Sequence, residues 1–448
     1  MAVDEPSPEA GGVLGLARRL AGGVFLVTML GQAAAFGVQL LLARTMGVEG
    51  FGIYVYVFTW LMIASVVVPL GQARVMLRFV SAYRAEGHMG RLRGVISNGH
   101  KLVGRTCVGV GLAVAGVILV SGGTGSPLGG AALVACAALP IVAWKNLQLA
   151  IAHSLRQVVL AKGMDELGIR IGLVLGFLGL WGLQDRAPGA AQTLLLLGGV
   201  SVAVGLWVRR AWRSELGVER AGPREELSSL WLRTGVALVL LDGMAMLLSR
   251  TDIVLLGVLR DTTDAGTYAI ASRLATLALL GLMVVKAPII PLLSERFATG
   301  RMGEFLGLTR WATRVATGLS LGLATVLLVG ADPLLGLFGP EFVARKDCLV
   351  VLTVGLALNA ILGPTGTVLW ITGREKQLAA VQGAGLALNI LLNLWWIPRF
   401  GIVGAAWATV VSHTAWNVWA VVRIRAEFGF TTLPVAWLDA AGAPEDSA

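Results

Sequence analysis

Six charged side chains lie inside long apolar runs, where a charge needs either a partner or water. They are two carboxylates and four cations: Lys145, Asp242, Arg250, Asp252, Arg273 and Lys286. Placing an ionised group in a hydrocarbon layer costs at least ~2.5 kcal/mol, so such groups mark ion paths, substrate paths or structural pairs. These residues predict two kinds of chemistry. The cations could bind an anion, or the carboxylates could couple transport to a cation.

The predicted depth of each residue in the membrane groups four of these charges into two pairs. With a rise of about 1.5 Å per residue, Asp252 lies at the depth of Arg273, and Asp242 lies at that of Lys286. Each pair either locks two neighbouring helices together or takes part in coupling to H⁺ or Na⁺. Arg250 has no predicted partner at its depth, and its forked donors suit a diphosphate.

Twelve apolar runs position these charges, and each is long enough to cross a bilayer as a helix. A hydrocarbon core about 30 Å thick requires ~20 apolar residues. Of the 36 Lys and Arg residues, 26 fall in the loops and adjoining span ends on one side and only six in loops on the other. Because cytoplasmic loops are rich in Lys and Arg, both termini are predicted to be cytoplasmic. The spans are predicted at 20–43, 53–73, 102–121, 128–150, 169–184, 190–208, 234–259, 266–293, 311–330, 348–370, 377–397 and 401–422.

The composition agrees with a membrane protein. Hydrophobic residues make up 56% of the chain and charged residues 14%, against about 25% charged in soluble proteins. Basic loops at an anionic membrane surface explain the net charge of +10, so no nucleic-acid partner is expected. The sequence contains no phosphate-binding loop, and its three cysteines have no metal-like spacing. We therefore expect a transporter without a cofactor or metal site, and not an enzyme.

An internal repeat divides the chain into two halves. Residues 81–94 and 294–307 share six identities at a constant offset of 213. The repeat predicts an N-terminal six-helix lobe at 1–208, a cytoplasmic amphipathic linker at 209–233, a C-terminal six-helix lobe at 234–431 and a cytoplasmic tail at 432–448. Because six is even, both lobes face the same way, with a pseudo-two-fold axis along the membrane normal and a central cavity.

Short motifs along the chain resemble the polysaccharide transporter branch of the multidrug/oligosaccharidyl-lipid/polysaccharide flippase superfamily. Each motif is short, so their order and spacing carry the resemblance. One departure is Leu-Arg-Asp-Thr-Thr at 259–263, where the family usually has Leu-Gly-Pro-Glu. The fold expected is an all-α membrane protein. The motifs are 42–54, 69–72, 252–257, 266–268, 288–294, 338–342 and 389–406.

The resemblance implies a flippase that moves a polyprenyl-diphosphate-linked oligosaccharide from the inner to the outer leaflet of the cytoplasmic membrane by alternating access. Expected partners are this lipid-linked oligosaccharide, membrane lipids, and the polymerase and glycosyltransferases of the same pathway. Candidates for the diphosphate path are Arg250, Lys145, Arg273, Arg78, Arg74 and Arg44. Weaker candidates for sugar contacts, with bonds between helices as the alternative, are Gln39, Asn359, Asn389 and Asn393.

Two other transporters of the superfamily are the alternatives. A drug or cation antiporter needs a carboxylate-rich cavity, whereas the intramembrane cations outnumber the anions by four to two. A lipid II flippase usually carries two further helices, beyond the twelve predicted here. A scramblase or a membrane scaffold is the non-transporter alternative. The driving force stays open between the membrane potential and coupling to H⁺ or Na⁺.

Overall fold

The structure, a computed structural model, is helical throughout its described part. It describes residues 8–216 and 223–434, without the side chains of residues 8–21, 24, 25, 241, 242, 245 and 287. Sixteen α-helices and no β-strand occur within these ranges. The prediction of an all-α protein is confirmed.

The helices follow the predicted spans, with shifts at their ends. A π-helical turn, Met164–Gly168, joins α5 to α6, and short 3₁₀ turns lie at Gly123–Gly125 and Leu277–Leu279. The first eight helices are α1 Pro8–Val67, α2 Gln72–Ala85, α3 Met89–Val120, α4 Pro127–Ser154, α5 Val158–Gly163, α6 Ile169–Gln184, α7 Ala190–Leu216 and α8 Ser228–Leu259. The others are α9 Thr262–Thr276, α10 Leu280–Ala298, α11 Met302–Val329, α12 Ala331–Gly336, α13 Pro340–Val343, α14 Lys346–Ile361, α15 Thr365–Ile371 and α16 Glu375–Phe428.

Eight of the described helices are long and apolar enough to cross a membrane, or nine if the bent pair α14 and α15 is one span. The chain is therefore a multi-pass membrane protein. Two of these segments, Leu26–Val67 with 42 residues and Glu375–Phe428 with 54, exceed the ~20 residues of one crossing. Non-helical backbone interrupts them at Gly47 and Gly401. Both breaks fall where two spans were predicted to meet, and the total of twelve stays a prediction.

The segment 151–168 was predicted to be an inner loop, but most of it is helical. Helix α5, the π-helical turn and α6 form one run, Val158–Gln184. Its charges neutralise each other along the helix, because Lys162 and Arg170 lie 3.0 Å and 2.9 Å from the Glu166 carboxylate. Pairs at this spacing stabilise a helix, and this explains why a polar segment continues it.

Helices also enter the predicted linker, since α7 reaches Leu216 and α8 starts at Ser228. Trp231 belongs to the predicted amphipathic linker, but it is buried and its Nε1 donates to Tyr83 Oη at 3.2 Å. Gly94 permits this packing, because a Cβ there would lie 2.9 Å from the Trp231 ring. Residues 217–222 of the linker and 435–448 of the predicted tail are outside the described part.

The two repeated segments form the same turn between two helices. Gly87 and Gly300 both have φ 73°, in the left-handed region that glycine adopts at low cost. The residue after each glycine donates its N–H to the carbonyl five residues earlier, at 2.9 Å in the first copy and 3.0 Å in the second. The local backbone geometry therefore supports the internal repeat.

The chain forms two compact units, Met1–Gly243 and Met244–Ala448, which we call unit 1 and unit 2. The division falls inside α8, and the predicted domain limits stay predictions. In unit 1, α4 packs closely on α7, because Gly205 leaves room for the ring of Trp144. In unit 2, a core joins α10, α11, α15 and α16 through Leu293, Phe305, Leu369 and Ile424.

Gly355 provides a test of close packing in unit 2. A Cβ at this position would lie 2.1 Å from Val410 Cγ2, so Gly355→Ala should destabilise the protein by about 1–3 kcal/mol. The melting temperature of the purified protein in detergent measures this loss, and adding Val410→Ala should restore part of it. The control is Gly322→Ala, whose Cβ meets no atom within 4 Å and should be neutral or stabilising. Equal melting temperatures for all variants would contradict the close packing.

Candidate substrate and ion sites

A cavity of about 440 Å³ with several polar side chains in its lining lies inside unit 2, between α10, α14, α15 and α16. Its described lining contains one cation, Lys286, and no carboxylate. Amide, hydroxyl, imidazole and indole groups supply the rest of its polar surface: Asn359, Thr365, Thr367, Trp370, Gln382, His413, Trp416 and Asn417. Such a lining suits a ligand that combines negative charge with many hydroxyl groups.

Lys286 is the charged group of this cavity. Its side chain is partly buried, and it makes no hydrogen bond or ion pair within the part of the chain that the structure describes. The side chain of its predicted partner, Asp242, lies outside that part, so the pair stays a prediction. An ammonium group facing a cavity without described carboxylates favours an anionic ligand.

Two asparagines hold the wall of the cavity together. Asn359 Nδ2 donates to Gly355 O at 3.0 Å and to Thr414 Oγ1 at 3.3 Å. Asn417 Nδ2 donates to Asn359 Oδ1 at 3.4 Å, and Asn417 Oδ1 accepts from Thr365 Oγ1 at 2.7 Å. Asn359 therefore lines the cavity, as a sugar contact would, but its amide joins α14 to α16.

Other polar groups of the cavity have unused hydrogen-bonding capacity. Among the described residues, the side chains of Thr367 and Gln382 and the ring of His413 make no hydrogen bond. Trp416 Nε1 is buried without an acceptor, and Trp370 is 53% exposed. These groups can bind a ligand without first breaking bonds between helices.

Asp252 on α8 is the second candidate site. It is 6% exposed, and four neutral donors reach its carboxylate. Asn389 and Asn393 donate to Oδ1 at 3.2 and 2.7 Å. Tyr268 and Thr409 donate to Oδ2 at 2.8 and 2.7 Å. Since a carboxylate has about four acceptor sites, α8, α9 and α16 together saturate it.

This arrangement corrects two interpretations of the sequence. Neutral donors satisfy the Asp252 carboxylate, so the predicted pair with Arg273 is not what stabilises it. Asn389 and Asn393 were weak candidates for sugar contacts, but both are buried against Asp252. Their four-residue spacing places them on one face of α16, and this face is directed at α8.

The cluster around Asp252 is rich in oxygen and has one unfilled acceptor. Asn393 Oδ1 is buried and has no hydrogen-bond donor within the described residues. Asp252 makes no ion pair in that same part of the chain. Hard cations such as Na⁺ bind carboxylate, amide and hydroxyl oxygens, and a proton would neutralise the buried charge. The geometry is therefore compatible with both ions.

Arg250 lies two residues before Asp252 on α8 and is partly buried. It makes no hydrogen bond or ion pair within the described ranges, and the positive charge of Arg273 on α9 is close enough to repel it. Two neighbouring cations inside a membrane unit favour binding of an anion between them.

Lys145 is neutralised in the structure. Its Nζ donates to Asp165 Oδ1 at 2.8 Å, inside unit 1. The sequence interpretation placed Asp165 in an inner loop and therefore missed this partner. Because the π-helical turn carries Asp165 against α4, Lys145 is a member of a structural ion pair and not a lone cation for the diphosphate.

The remaining candidates lie in α1 and α2 of unit 1. Arg74 and Arg78 are exposed and one helical turn apart, and the Arg78 guanidinium lies 5.5 Å from the centre of the Phe79 ring. Arg44 is exposed one turn before the break at Gly47. Gln39 Oε1 is buried without a donor among the described residues. Their predicted roles in the substrate path stay predictions.

Sequence reasoning missed several polar groups of both sites. Tyr268 was visible only as part of the motif 266–268, and Thr409 and Gln382 carry no charge that would distinguish them in an apolar run. The available signal was hydrogen-bonding capacity at positions one or two turns from an intramembrane charge. That signal identified Asn389 and Asn393, and their bonds to Asp252 are the contacts between helices that were the alternative to sugar contacts.

Comparisons with known proteins agree with this architecture. Residues 21–122 match the family described as "Polysaccharide biosynthesis protein". The probable flippase AglR of Haloferax volcanii is 24% identical over 270 residues, covering 58% of this chain and 49% of that protein. The probable low-salt glycan biosynthesis flippase Agl15 of the same organism is 25% identical over 162 residues, covering 36% and 34%. The chain thus spans half or less of these relatives.

Solved structures share the fold over most of the chain. An inward-facing multidrug resistance MATE family transporter of the MOP superfamily superimposes with a TM-score of 0.70 and 12% identity, covering 91% of this chain and 98% of that one. Lipid II flippase MurJ, in an inward closed conformation, gives 0.63 and 13%, covering 90% and 87%. The chain therefore shares the fold of these two transporters. The resemblance stated from its motifs is confirmed.

The ion pair between Lys145 and Asp165 leads to a prediction that separates a structural role from a substrate role. Lys145→Met should destabilise the protein by about 1–2 kcal/mol, since it leaves Asp165 unpaired but partly exposed. Adding Asp165→Asn should restore both the melting temperature and the transport activity. Restored stability without restored transport would show that Lys145 contacts the substrate.

Proposed function

We propose that the chain is a flippase that moves a polyprenyl-diphosphate-linked oligosaccharide from the inner to the outer leaflet of the cytoplasmic membrane. The observation that carries the proposal is the cavity of unit 2, where Lys286 has no carboxylate among the described lining residues. Two relatives named as probable flippases support it. The match to the polysaccharide biosynthesis family supports a glycan as the cargo.

The cargo has parts that need different surroundings. The polyprenyl tail is apolar and stays in lipid, whereas the diphosphate and the sugars need polar partners. Lys286 and Arg250 supply charged donors for phosphate oxygens, whose hydrogen bonds are stronger than those between neutral groups. Sugar hydroxyls would bind to the unpaired polar groups of the cavity: Thr367, Gln382 and His413.

Coupling to H⁺ or Na⁺ is proposed at Asp252. A carboxylate held by neutral donors can gain a proton or a cation without breaking a strong ion pair. The unfilled oxygen of Asn393 supplies a further ligand for Na⁺. The membrane potential, negative inside, also favours outward movement of the anionic headgroup by ~2.3 kcal/mol per charge per 100 mV.

A drug or cation antiporter is the second candidate, and Asp252 is the observation that favours it. A buried carboxylate in unit 2 could bind a cationic drug directly. The residue is 6% exposed and is not part of the cavity lining, so a drug-sized cation would have to displace its four donors. We therefore rank this function below glycan transport.

The cellular setting follows from the same proposal. Both termini are placed in the cytoplasm in this proposal. The flippase would bind the headgroup on the cytoplasmic side, where glycosyltransferases assemble it from activated sugars. It would release the headgroup on the opposite side, where a polymerase or a further transferase uses it. These enzymes are the partners that we propose besides the cargo and the membrane lipids.

Lys286 and Arg250, which form no ion pair within the described residues, provide the test of the transported substrate. In a deletion strain, lipid-linked glycan should accumulate on the inner leaflet, and Lys286→Ala or Arg250→Ala should fail to clear it. Each loses a charged hydrogen bond of about 1.5–3 kcal/mol, roughly 10- to 100-fold in apparent affinity. Lys286→Arg and Arg250→Lys should retain part of the activity, and the control Lys346→Ala, at an exposed pair with Asp332, should retain all of it. Unchanged glycan with altered drug tolerance would favour the antiporter.

The Asp252 cluster provides the test of coupling. In proteoliposomes, Asp252→Asn should abolish the acceleration of transport by an imposed Na⁺ or H⁺ gradient, because the side chain keeps its shape but loses its charge. The double variant Asp252→Asn with Asn393→Asp returns one carboxylate to the same cluster and should regain part of the response. A single variant that responds to the gradient like the wild type would exclude coupling through Asp252.

A further inference from the structure

A second cavity, of about 360 Å³, lies in unit 1 between α3 and α7, and the charged side chains of its lining are all basic. We call it the basic pocket. Its described lining contains no carboxylate, and Leu92, Ile96 and Leu216 add apolar surface. Five cationic side chains converge on it: Arg93, Lys101, Arg209, Arg213 and Arg224.

Two of these cations are not neutralised within the described residues. Arg209 and Arg213 form no ion pair there, and their positive charges repel each other. Arg209 Nε is also buried without a hydrogen-bond acceptor in the described part. By contrast, Lys101 lies 3.3 Å from a Glu226 carboxylate oxygen. An anion between Arg209 and Arg213 would satisfy the buried donor and remove the repulsion.

The floor of the basic pocket is fixed by a chain of hydrogen bonds. Trp212 Nε1 donates to Gln148 Oε1 at 3.1 Å, and Gln148 Nε2 donates to His100 Nε2 at 2.9 Å. The other ring nitrogen of His100 donates to Ile96 O at 2.7 Å. Because Gln148 and Trp212 are 0% and 3% exposed, the pocket is held in shape before any ligand binds.

We propose that the basic pocket binds the headgroup of an anionic phospholipid of the inner leaflet, as a resident lipid and not as cargo. The pocket lies near the ends of two apolar helices, Met89–Val120 and Ala190–Leu216, and the end of a membrane-spanning helix is where lipid phosphates are within reach. Paired guanidinium groups bind a phosphodiester, and the apolar lining can contact the first part of the acyl chains. Basic pockets between membrane helices on the cytoplasmic side bind lipid headgroups in this way.

The binding test uses the purified full-length protein and two lipids with the same acyl chains, phosphatidylglycerol and phosphatidylcholine. Native mass spectrometry should show preferential binding of phosphatidylglycerol to the wild type. The double variant Arg209→Gln with Arg213→Gln should weaken this binding roughly 10- to 30-fold, while Arg209→Lys with Arg213→Lys should keep most of it. A matched control, Arg301→Gln with Arg425→Gln, removes the same charge outside the pocket and should bind like the wild type.

Melting temperatures in phosphatidylcholine confirm that each variant is folded. Equal phosphatidylglycerol binding by the wild type and the glutamine double variant would overturn the proposal, as would an equal loss in the control pair. Transport in vesicles of phosphatidylcholine alone separates a resident lipid from cargo. There the glutamine double variant should transport like the wild type, whereas a loss of transport would assign the pocket to the cargo diphosphate and also overturn the proposal.

Discussion

A charge inside a membrane helix is stable only if it is paired, hydrogen-bonded or exposed to a polar cavity, and the three solutions occur at different places in this chain. Lys145 is paired with Asp165 in unit 1. Asp252 is satisfied by neutral donors, and Lys286 faces a cavity in unit 2. These three environments differ in how easily the charge can bind a ligand. The type of partner therefore distinguishes structural charges from candidates for binding, whereas the sign of the buried charge alone does not distinguish them.

Close helix packing brings the polar groups of unit 2 within reach of one another. The contact of Gly355 with Val410 holds α14 against α16. Asn359 lies one turn after Gly355 and donates to its carbonyl, and the same amide group accepts from Asn417 on α16. A larger residue at 355 would therefore separate the helices and pull apart the cavity wall. Small residues thus contribute to the site without contacting any ligand.

Features that depend on residue type along the chain were predictable from the sequence, but the hydrogen-bond and ion-pair partners of individual side chains were not. Apolar runs and the repeat predicted an all-helical membrane protein and the turn shared by Gly87 and Gly300, because both depend on residue type along the chain. The partner of Lys145 was missed because a π-helical turn carried Asp165 into a helix where charge density had predicted a loop. The donors around Asp252 were missed because tilt and rotation of α9 and α16 decide which neutral side chains reach it. The rotation of a helix about its axis cannot be read from the hydropathy of its sequence.

Two buried carboxylates of unit 2 show how the surroundings decide the role of a charge. Asp264 is 3% exposed and lies 3.5 Å from Arg260 and 3.2 Å from Arg345. Two guanidiniums stabilise its charge and join the start of α9 to the helix before it and to the turn before α14. Binding of a cation there would have to displace one of the two guanidinium groups.

Asp252 is similarly buried but has hydroxyl and amide partners. Hydroxyl groups can rotate to accept from a protonated acid, and amide oxygens can turn towards a cation, so the neutral partners of Asp252 can rearrange around a bound ion. Coupling to transport needs such a group, whose charge state can change while the helices around it stay packed. The contrast with Asp264 is therefore a reason to propose coupling at Asp252. This contrast depends on the partners of the two carboxylates and not on how deeply they are buried.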